Sequence, residues 1–322
     1  MTRRYTVVGT GALGGYYGAR LHHAGLAVRF LLNSDYEYVR ERGLRVESPE
    51  GDFSIPRPEA FGSASELPET DVVLLCLKTT GNDQLVDLLP PAVGSGAAVV
   101  VMQNGLGVEA EVAALVPGNP VLGGLSFLCS NKIGPGHIRH IDYGQVRFGA
   151  FSTTGSSAGV TAEMKAIGAD FEAAGIPVVL EEDLNTARWK KLVWNIPYNG
   201  LCTAHDLPTD GIMGRPDLAD EVAVLMAEVL RAAEACGAEI APEFAASMRA
   251  DTIRMGAYLP SMLIDRRESR PLELEAIYRR PLAAARQAGV ACPRIEALAT
   301  RLQDPVQEAL LVPEVTGDLP GS

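Results

Sequence analysis

Short apolar runs alternate with helical patterns through the first half of the chain. The runs at 5–8, 71–77 and 97–102 are typical of parallel strands that are buried on both faces. Further strands are predicted at 27–32, 121–129, 145–150 and 176–180. The stretch 44–55, which contains Pro49-Glu50-Gly51, predicts a hairpin-like excursion, and 134–140 predicts a loop or an edge strand.

The second half is helical almost throughout. Apolar residues at 219–237 recur at helical spacing. Other helices are predicted at 161–174, 242–255, 261–265, 271–288 and 293–302. The pattern predicts an α/β protein with an N-terminal Rossmann-type doubly wound sheet, residues 1–182, followed by an all-helical C-terminal domain, residues 183–310. The Pro-, Gly- and acid-rich end, 311–322, is predicted to fray.

Composition narrows the class of protein. A chain of 322 residues with 47% hydrophobic and 21% charged residues suits a soluble two-domain protein. The net charge of −12 argues against a nucleic-acid partner. No run reaches the roughly 18 to 20 apolar residues that cross a membrane, and the start has no secretory pattern, so a cytoplasmic location is expected. The five scattered cysteines indicate neither zinc nor a disulfide framework.

A glycine loop connects the first strand to the first helix. It reads Gly9-Thr10-Gly11-Ala12-Leu13-Gly14. Glycines in this arrangement allow a tight turn, close approach of a pyrophosphate and close packing of helix on strand, and the helix N-terminus favours phosphate. A dinucleotide site is therefore predicted at this loop.

The end of the second strand bears on which dinucleotide binds. NAD sites commonly end this strand in an acid that binds the ribose hydroxyls. Here the strand is followed by Asn33, which leaves room for a 2′-phosphate that Arg29 or Arg40 could help to bind. NADP(H) is the predicted cofactor, with NAD(H) not excluded. The alternative is that Asn33 and Ser34 only open a turn.

Two further polar residues follow strands. Lys78 ends the run at 71–77, and Asn104 follows the run at 97–102. Ligands of open α/β sheets gather at the carboxyl ends of strands, which places both residues near a cofactor. The alternatives are a solvated lysine and an Asn-Gly turn.

A polar stripe lies on the predicted helix around residue 191. Lys191, Asn195 and Asn199 are four residues apart and so share one face, close to Trp189 and Trp194. Such a stripe is costly to bury without partners or a ligand. The alternatives are a surface lysine and asparagines that connect two helices. His137 and His140 have no evident third ligand, so no metal site is predicted.

These motifs together resemble the ketopantoate reductase (2-dehydropantoate 2-reductase) family over nearly the whole chain. The resemblance rests on the glycine loop, Lys78, Gln103-Asn104-Gly105 and the pattern Lys191-Leu-x-x-Asn195-x-x-x-Asn199. It implies that Lys191 is the catalytic lysine and that Asn195 and Asn199 bind substrate. Asn104 would touch both cofactor and substrate, and Ser261 would bind the substrate carboxylate. Glu273 would be the second catalytic residue and would hold substrate and cofactor groups.

The chain departs from the family pattern at three places. Asn33 stands where the family often has an arginine, and Pro197 interrupts the backbone bonding of the helix that carries Asn199. Tyr278-Arg279 replaces an Asn-Gly. These changes bear on cofactor preference, on the reach of Asn199 and on the shape of the pocket.

The resemblance implies NADP(H)-dependent reduction of 2-dehydropantoate to pantoate, as in pantothenate and coenzyme A biosynthesis, with Lys191 as proton donor. One alternative is an NAD(P)-dependent reductase of another 2-keto acid. Another is a non-catalytic NADP-binding sensor, which would have no need of the lysine–asparagine stripe. The expected partner is a small 2-keto acid. The oligomeric state stays open, a homodimer included, because the helix at 219–237 can face a core or a partner.

Overall fold

The computed structural model describes residues 3–154 and 156–303. The described strands all lie before residue 182, and the elements among described residues 184–303 are all helices. The predicted fraying of 311–322 concerns residues outside the described ones. The division at residue 182 stays a prediction, although the change from strands to helices falls there.

One sheet contains all ten described strands. Their bounds are β1 Arg4–Val8, β2 Ala27–Leu31, β3 Leu44–Glu47, β4 Phe53–Ile55, β5 Glu59–Phe61, β6 Val72–Leu75, β7 Ala98–Val101, β8 Val121–Gly134, β9 His137–Ala150 and β10 Val178–Glu181. The order along the sheet is β4-β3-β9-β8-β7-β6-β1-β2-β5, and β10 pairs with β9.

The parallel centre of the sheet follows directly from the apolar runs. Strands β7, β6, β1 and β2 are parallel neighbours. Successive residues of a strand face opposite sides, so Val7 joins one hydrophobic core and Val8 the other. Both faces of the sheet are therefore covered, as the unbroken apolar runs predicted.

Helices cover both faces of the sheet. They are α1 Ala12–His23, α2 Tyr36–Arg42, α3 Leu85–Ala92, α4 Val108–Leu115 and α5 Ala162–Ala173. Apolar residues of α1 and α5 share one core, while those of α3 and α4 share the other. The doubly wound α/β prediction is confirmed.

The sheet contains more antiparallel structure than the sequence indicated. β8 and β9 form a long antiparallel hairpin, and the excursion at 44–55 forms the antiparallel pair β3–β4. Of the loop or edge strand predicted at 134–140, only residues 135–136 form a turn, and the following residues belong to β9, which is not an edge strand. β9 pairs with β8 on one side and β3 on the other, because the excursion adds two strands outside it.

The helical part is built around one long helix. Its elements are α6 Leu184–His205, α7 Thr209–Met213, α8 Pro216–Ala235, α9 Glu243–Met255, α10 Ser261–Arg267, α11 Arg280–Gln287 and α12 Pro293–Gln303. Helix α6 packs against α8, α10 and α12 and also touches β8 and β9. The helix predicted at 271–288 is shorter and begins with a π-helical turn, Glu275–Arg279, before α11. No helix among the described residues is long and apolar enough to span a membrane.

Candidate active site

A cleft of about 1650 Å³ lies between the carboxyl edge of the sheet and helices α6, α9 and α10. It brings together all but one of the predicted site residues. The glycine loop lines one end of the cleft and α6 lines the other. The lining residues among them are Gly9, Thr10, Gly11, Ala12, Leu13, Asn33, Lys78, Asn104, Lys191, Asn195, Asn199, Ser261 and Glu273. Gly14 is the exception and lies beneath the loop.

The three glycines of the loop have different steric roles. Gly9 has φ +96°, and a Cβ there would lie 2.7 Å from the backbone nitrogen of Leu77. A Cβ on Gly14 would lie 2.3 Å from the Gly9 carbonyl oxygen, so Gly14 lets α1 pack closely on the strands. Gly11 precedes the first residue of α1 and has open space where its Cβ would be. The loop thus presents an open backbone and a helix N-terminus to a phosphate group.

The acid nearest to the end of β2 is already engaged. Asp35 is buried, accepts a hydrogen bond from the Gly136 backbone N–H at 3.0 Å and pairs with Lys132 at 2.8 Å. It therefore anchors the turn of the β8–β9 hairpin. Asn33 and Ser34 line the cleft there and carry no charge.

The two arginines considered for a 2′-phosphate are also paired. Arg29 binds Glu59 at 3.1 Å and donates to the Glu69 carbonyl at 2.7 Å. Arg40 binds Glu37 at 2.5 Å. Neither side chain lines the cleft, whereas Lys132 does.

Helix α6 presents its polar stripe to the cleft as the spacing predicted. It begins after Asp183, whose carboxylate accepts hydrogen bonds from the backbone of Asn185 and Thr186 and so caps the helix. The helix is assigned unbroken through Pro197 to His205. Asn199 therefore lines the cleft despite the proline.

Lys191 is a buried amine rather than a surface one. The residue is 8% exposed, and its Nζ donates to the Ser126 carbonyl of β8 at 2.7 Å. Burial, with a smaller contribution from Arg188 and against the attraction of Glu273, lowers the pKa of Lys191 to about 7. The aromatic ring beside the amine belongs to Phe127, whose centroid is 5.5 Å from Nζ.

The two asparagines differ in how far the protein satisfies them. Asn199 Oδ1 accepts a hydrogen bond from the Met262 backbone at 3.4 Å. Asn195 Nδ2 is buried, and no hydrogen-bond acceptor from the described residues reaches it. A buried amide donor without an acceptor is costly, so this atom is available for an acceptor supplied by a ligand.

Two contacts cross the cleft between the sheet and the helices. Glu273 Oε1 accepts hydrogen bonds from the backbone N–H of Thr79 at 3.1 Å and from its hydroxyl at 2.9 Å. Lys78 pairs with the buried carboxylate of Asp265 in α10. The Glu273 carboxylate thus joins the two parts of the chain.

The loop that carries Asn104 is held against the π-helical turn. Gly105 has φ +96°, and a Cβ there would lie 2.4 Å from the Ala276 carbonyl oxygen. The same carbonyl accepts the backbone N–H of Leu106 at 2.9 Å. Asn104 is therefore presented by a loop with little room to move, and π-helical turns are frequent at functional sites.

The two histidines considered as a metal pair are engaged elsewhere. His137 Nε2 lies 2.9 Å from Glu47 Oε1. His140 bonds to Ser48 at 2.9 Å and to the Tyr143 carbonyl at 2.7 Å. Within residues 3–154 and 156–303 no group of three or more metal-ligating side chains comes together.

Several residues of the site carried no signal in the sequence. Phe127 and the Ser126 carbonyl come from a strand that reads as ordinary core, and Thr79 and Asp265 reach the site only through folding. Of the two tryptophans close to Lys191 in sequence, Trp194 lines the cleft. Trp189 packs instead into the core of the helical part.

Comparisons with known proteins agree with this arrangement. The family model described as ketopantoate reductase PanE/ApbA matches residues 5–153, and its C-terminal counterpart matches residues 183–305. The chain is 48% identical to a 2-dehydropantoate 2-reductase from Nostoc sp., over 94% of each chain.

Solved structures give the same picture. A 2-dehydropantoate 2-reductase from Geobacter metallireducens superposes with a TM-score of 0.89 at 41% identity, covering 93% of this chain and 99% of that one. A ternary structure of D-mandelate dehydrogenase with NADH and anilino(oxo)acetate has a TM-score of 0.84 at 21% identity, covering 93% and 97%. At that identity the second likeness concerns the fold alone.

Proposed function

The chain belongs to the ketopantoate reductase family, and from that premise we propose that it reduces the keto group of 2-dehydropantoate with NADPH, with Lys191 as the proton donor. One observation carries the proposal. The buried amine of Lys191 and the unpartnered amide of Asn195 face the same cleft whose other end is the glycine loop.

The residues around the glycine loop suit a dinucleotide. Gly11 leaves open space at the start of α1, where a pyrophosphate can meet backbone N–H groups. When bound, the nicotinamide supplies the hydride that reaches the ketone carbon. Lys78 and Asn104, which line the cleft between this loop and α6, are proposed to orient the cofactor.

The end of β2 favours NADPH in this proposal. The acid that a ribose diol would need is Asp35, and its carboxylate is bound by Lys132 and the Gly136 N–H. The side chains that line the cleft there, Asn33 and Ser34, are neutral, so they do not repel a 2′-phosphate. Membership of the ketopantoate reductase family implies NADP(H), and this local chemistry agrees with that.

Lys191 is suited to giving a proton to the developing alkoxide. Its pKa of about 7 means that charged and neutral forms interconvert near neutral pH, where a general acid works best. The hydrogen bond to the Ser126 carbonyl holds the amine at the wall of the cleft. The positive charge stabilises the oxyanion before the proton is transferred.

The remaining side chains are proposed to bind substrate. Asn195 offers its unpartnered Nδ2 to an oxygen, and Asn199 lies one turn further along α6. Ser261 is assigned to the carboxylate of the keto acid. Glu273, an acceptor, is assigned to a hydroxyl such as 2-dehydropantoate carries and simple 2-keto acids lack, and to cofactor groups beside it.

The same proposal assigns cofactor binding to residues 1–182 and substrate binding and catalysis to residues 183–310. A cytoplasmic location and a homodimer remain predictions. Sedimentation of the purified chain would test the assembly.

The direct test is NADPH oxidation, followed by its absorbance, with a panel of 2-keto acids. We expect the highest kcat/KM with 2-dehydropantoate and a much lower one with 2-keto acids that have no hydroxyl group. A preference for a hydroxyl-free keto acid would overturn the substrate assignment. NADPH binding without oxidation by any keto acid would indicate a sensor.

A further inference from the structure

A buried ion pair lies beneath the cleft and has no part in the proposed chemistry so far. Arg188 and Glu109 have side chains that are only 2% and 4% exposed. Arg188 Nε donates to Glu109 Oε1 at 2.7 Å, and its Nη2 contacts the same oxygen. Burying two charges is expensive and often stabilises a fold less than apolar packing would, so such a pair suggests a task other than stability.

The guanidinium of Arg188 also holds the backbone that leads to Asn104. Its Nη1 donates to the Gln103 carbonyl at 2.6 Å, and its Nη2 donates to the Val101 carbonyl at 3.3 Å. Val101 ends β7, so these two bonds fix the chain as it leaves the sheet. The π-helical turn holds the same loop from the other side, through the bond from Leu106 to Ala276.

The sheet leaves space for this pair. A Cβ on Gly123 of β8 would lie 2.6 Å from Glu109 Oε1. The carboxylate therefore occupies room that only glycine leaves. Glu109 lies in the first turn of α4, where the helix dipole stabilises a negative charge. The Glu109 carboxylate is therefore held by the helix as well as by Arg188.

Arg188 is also close to Lys191 along α6. The two residues are three positions apart, so their side chains lie on neighbouring parts of one helix face. The other groups around the amine are Glu273, the Ser126 carbonyl and the Phe127 ring. Arg147 of β9 packs against the same Phe127 ring. Arg188 is thus the fixed cation on the same helix as the amine, one turn before it.

We propose that Arg188, held by Glu109, is a positioning residue of this site: it fixes the Asn104 loop through two backbone carbonyls and keeps a permanent positive charge one turn from the Lys191 amine. The inference rests on the proposed function for the role of Asn104 and Lys191. Its geometry does not depend on which keto acid is reduced.

The two tasks can be separated by substitution. Arg188→Lys keeps the positive charge. The single ammonium group of lysine cannot replace the planar guanidinium, which binds a carboxylate and two carbonyls at once. We expect kcat to fall about 10- to 100-fold, as for small misplacements of a reacting group, with the Kd of NADPH little changed. We expect the titration of Lys191 to stay near that of the unaltered protein.

The electrostatic task predicts shifts in opposite directions. Glu109→Gln removes the anion and leaves Arg188 charged, so the pKa of Lys191 should fall. The double variant Arg188→Met/Glu109→Met removes the nearer cation together with its partner, so the pKa of Lys191 should rise. A pair with a purely structural role would not move this pKa in opposite directions in two variants.

The pKa of Lys191 is measured directly by NMR of the lysine Cε groups in the full chain. The sequence has only five lysines, and loss of one signal in Lys191→Arg assigns it. Circular dichroism and NADPH titration establish that each variant is folded. These readouts need no turnover, so failure of the keto-acid assay leaves them valid and counts against the proposed function alone.

A matched control is the pair Arg20–Glu50, which lies away from the cleft. Arg20 also binds a carboxylate and a backbone carbonyl, those of Glu50 at 2.5 Å and Ala174 at 2.9 Å. Arg20→Met/Glu50→Met should leave kcat and the pKa of Lys191 unchanged. An unchanged kcat in Arg188→Lys, an unmoved pKa in the other two variants, or equal effects in the control would each overturn the proposal.

Discussion

At the scale of single residues, the site depends on one amine kept out of water. Lysine is usually exposed, and Lys190 beside it is partly exposed and lies outside the cleft. Lys191 is buried because α6 turns that face toward β8, where the Ser126 carbonyl accepts a hydrogen bond from its amine. Substitution of each lysine in turn therefore tests whether the effect on turnover comes from the buried position of Lys191 or from the loss of any lysine in this stretch.

Lys191→Ala should lower kcat about 10²- to 10⁴-fold, the usual contribution of a general acid. NADPH binding should change little because the glycine loop is distant along the cleft. Lys190→Ala is the matched control and should turn over nearly normally. Steady-state kinetics and fluorescence titration with NADPH test both variants, and near-normal turnover of Lys191→Ala would contradict its assignment.

The pH dependence of reduction should follow the titration of Lys191. The proton donor must be charged, so kcat/KM should be highest below pH about 7 and fall about tenfold per pH unit above it. An anionic substrate raises the pKa of a nearby amine, so kcat should begin to fall at higher pH than kcat/KM. A rate that rises from pH 7 to 9 would contradict the proton-donor role.

Asn33→Asp should move cofactor preference toward NADH. The new carboxylate would repel a 2′-phosphate and could accept hydrogen bonds from a ribose diol. We expect the Kd of NADPH to rise and that of NADH to fall. Asn33→Ala, which adds no charge, is the control, and an unchanged NADPH/NADH ratio in Asn33→Asp would show that this position does not select the cofactor.

At the scale of elements, short loops at the carboxyl edge of the sheet are shaped by what packs on them. The loop after β7 is pressed between Arg188 and the π-helical turn, and the loop after β2 is secured by Asp35 to the β8–β9 hairpin. The helix periodicity predicted α6 and its polar face. It carried no information about the partners that these loops would meet.

Gly105→Ala tests how tightly the Asn104 loop is held. The substitution adds a Cβ 2.4 Å from the Ala276 carbonyl oxygen in a backbone with φ +96°. Backbone strain of this kind costs about 1–3 kcal/mol, and the clash adds to it. We expect lower unfolding free energy and a large loss of kcat/KM. Gly96→Ala has similar strain, at φ +78°, but nothing within 4 Å, and should lose stability without losing activity in the folded protein.

At the scale of the whole molecule, two parts of the chain meet across the cleft. Lys78–Asp265 and Thr79–Glu273 join residues that are 187 and 194 positions apart in sequence. The amine of α6 is likewise covered by β8 rather than by its own helix neighbours. The site therefore exists only when the sheet and the helices are assembled.

Burial of Lys191 should make stability depend on pH. Its pKa is about 7 in the folded chain against an ordinary value of 10.5, so the unfolded chain binds more protons between these values and stability rises with pH there. Below pH 7 the amine is charged in both states, so the free energy of unfolding is lowered by the full cost of burying the charge. Each unit of the pKa difference corresponds to about 1.4 kcal/mol. Lys191→Met should thus be stabilised relative to the unaltered protein at pH 6, and by less at pH 9.

Denaturant unfolding at several pH values measures this difference. Lys165→Met, which replaces an exposed lysine on α5, is the control and should show no such pH dependence. A stability difference for Lys191→Met that is the same at pH 6 and pH 9 would mean that the amine has an ordinary pKa.

The sequence by itself determined the classes of element, the glycine loop and the stripe Lys191, Asn195 and Asn199. These follow from local rules, because apolar period and glycine sterics act over a few residues. Only the tertiary structure decided that Phe127 lies beside the amine, that Asp35 is occupied by Lys132, and that Arg188 holds the chain before Asn104. These contacts join residues that are distant in sequence, so they form only when the sheet packs against the helices. That packing also buries the Lys191 amine and so determines its pKa and its position in the cleft.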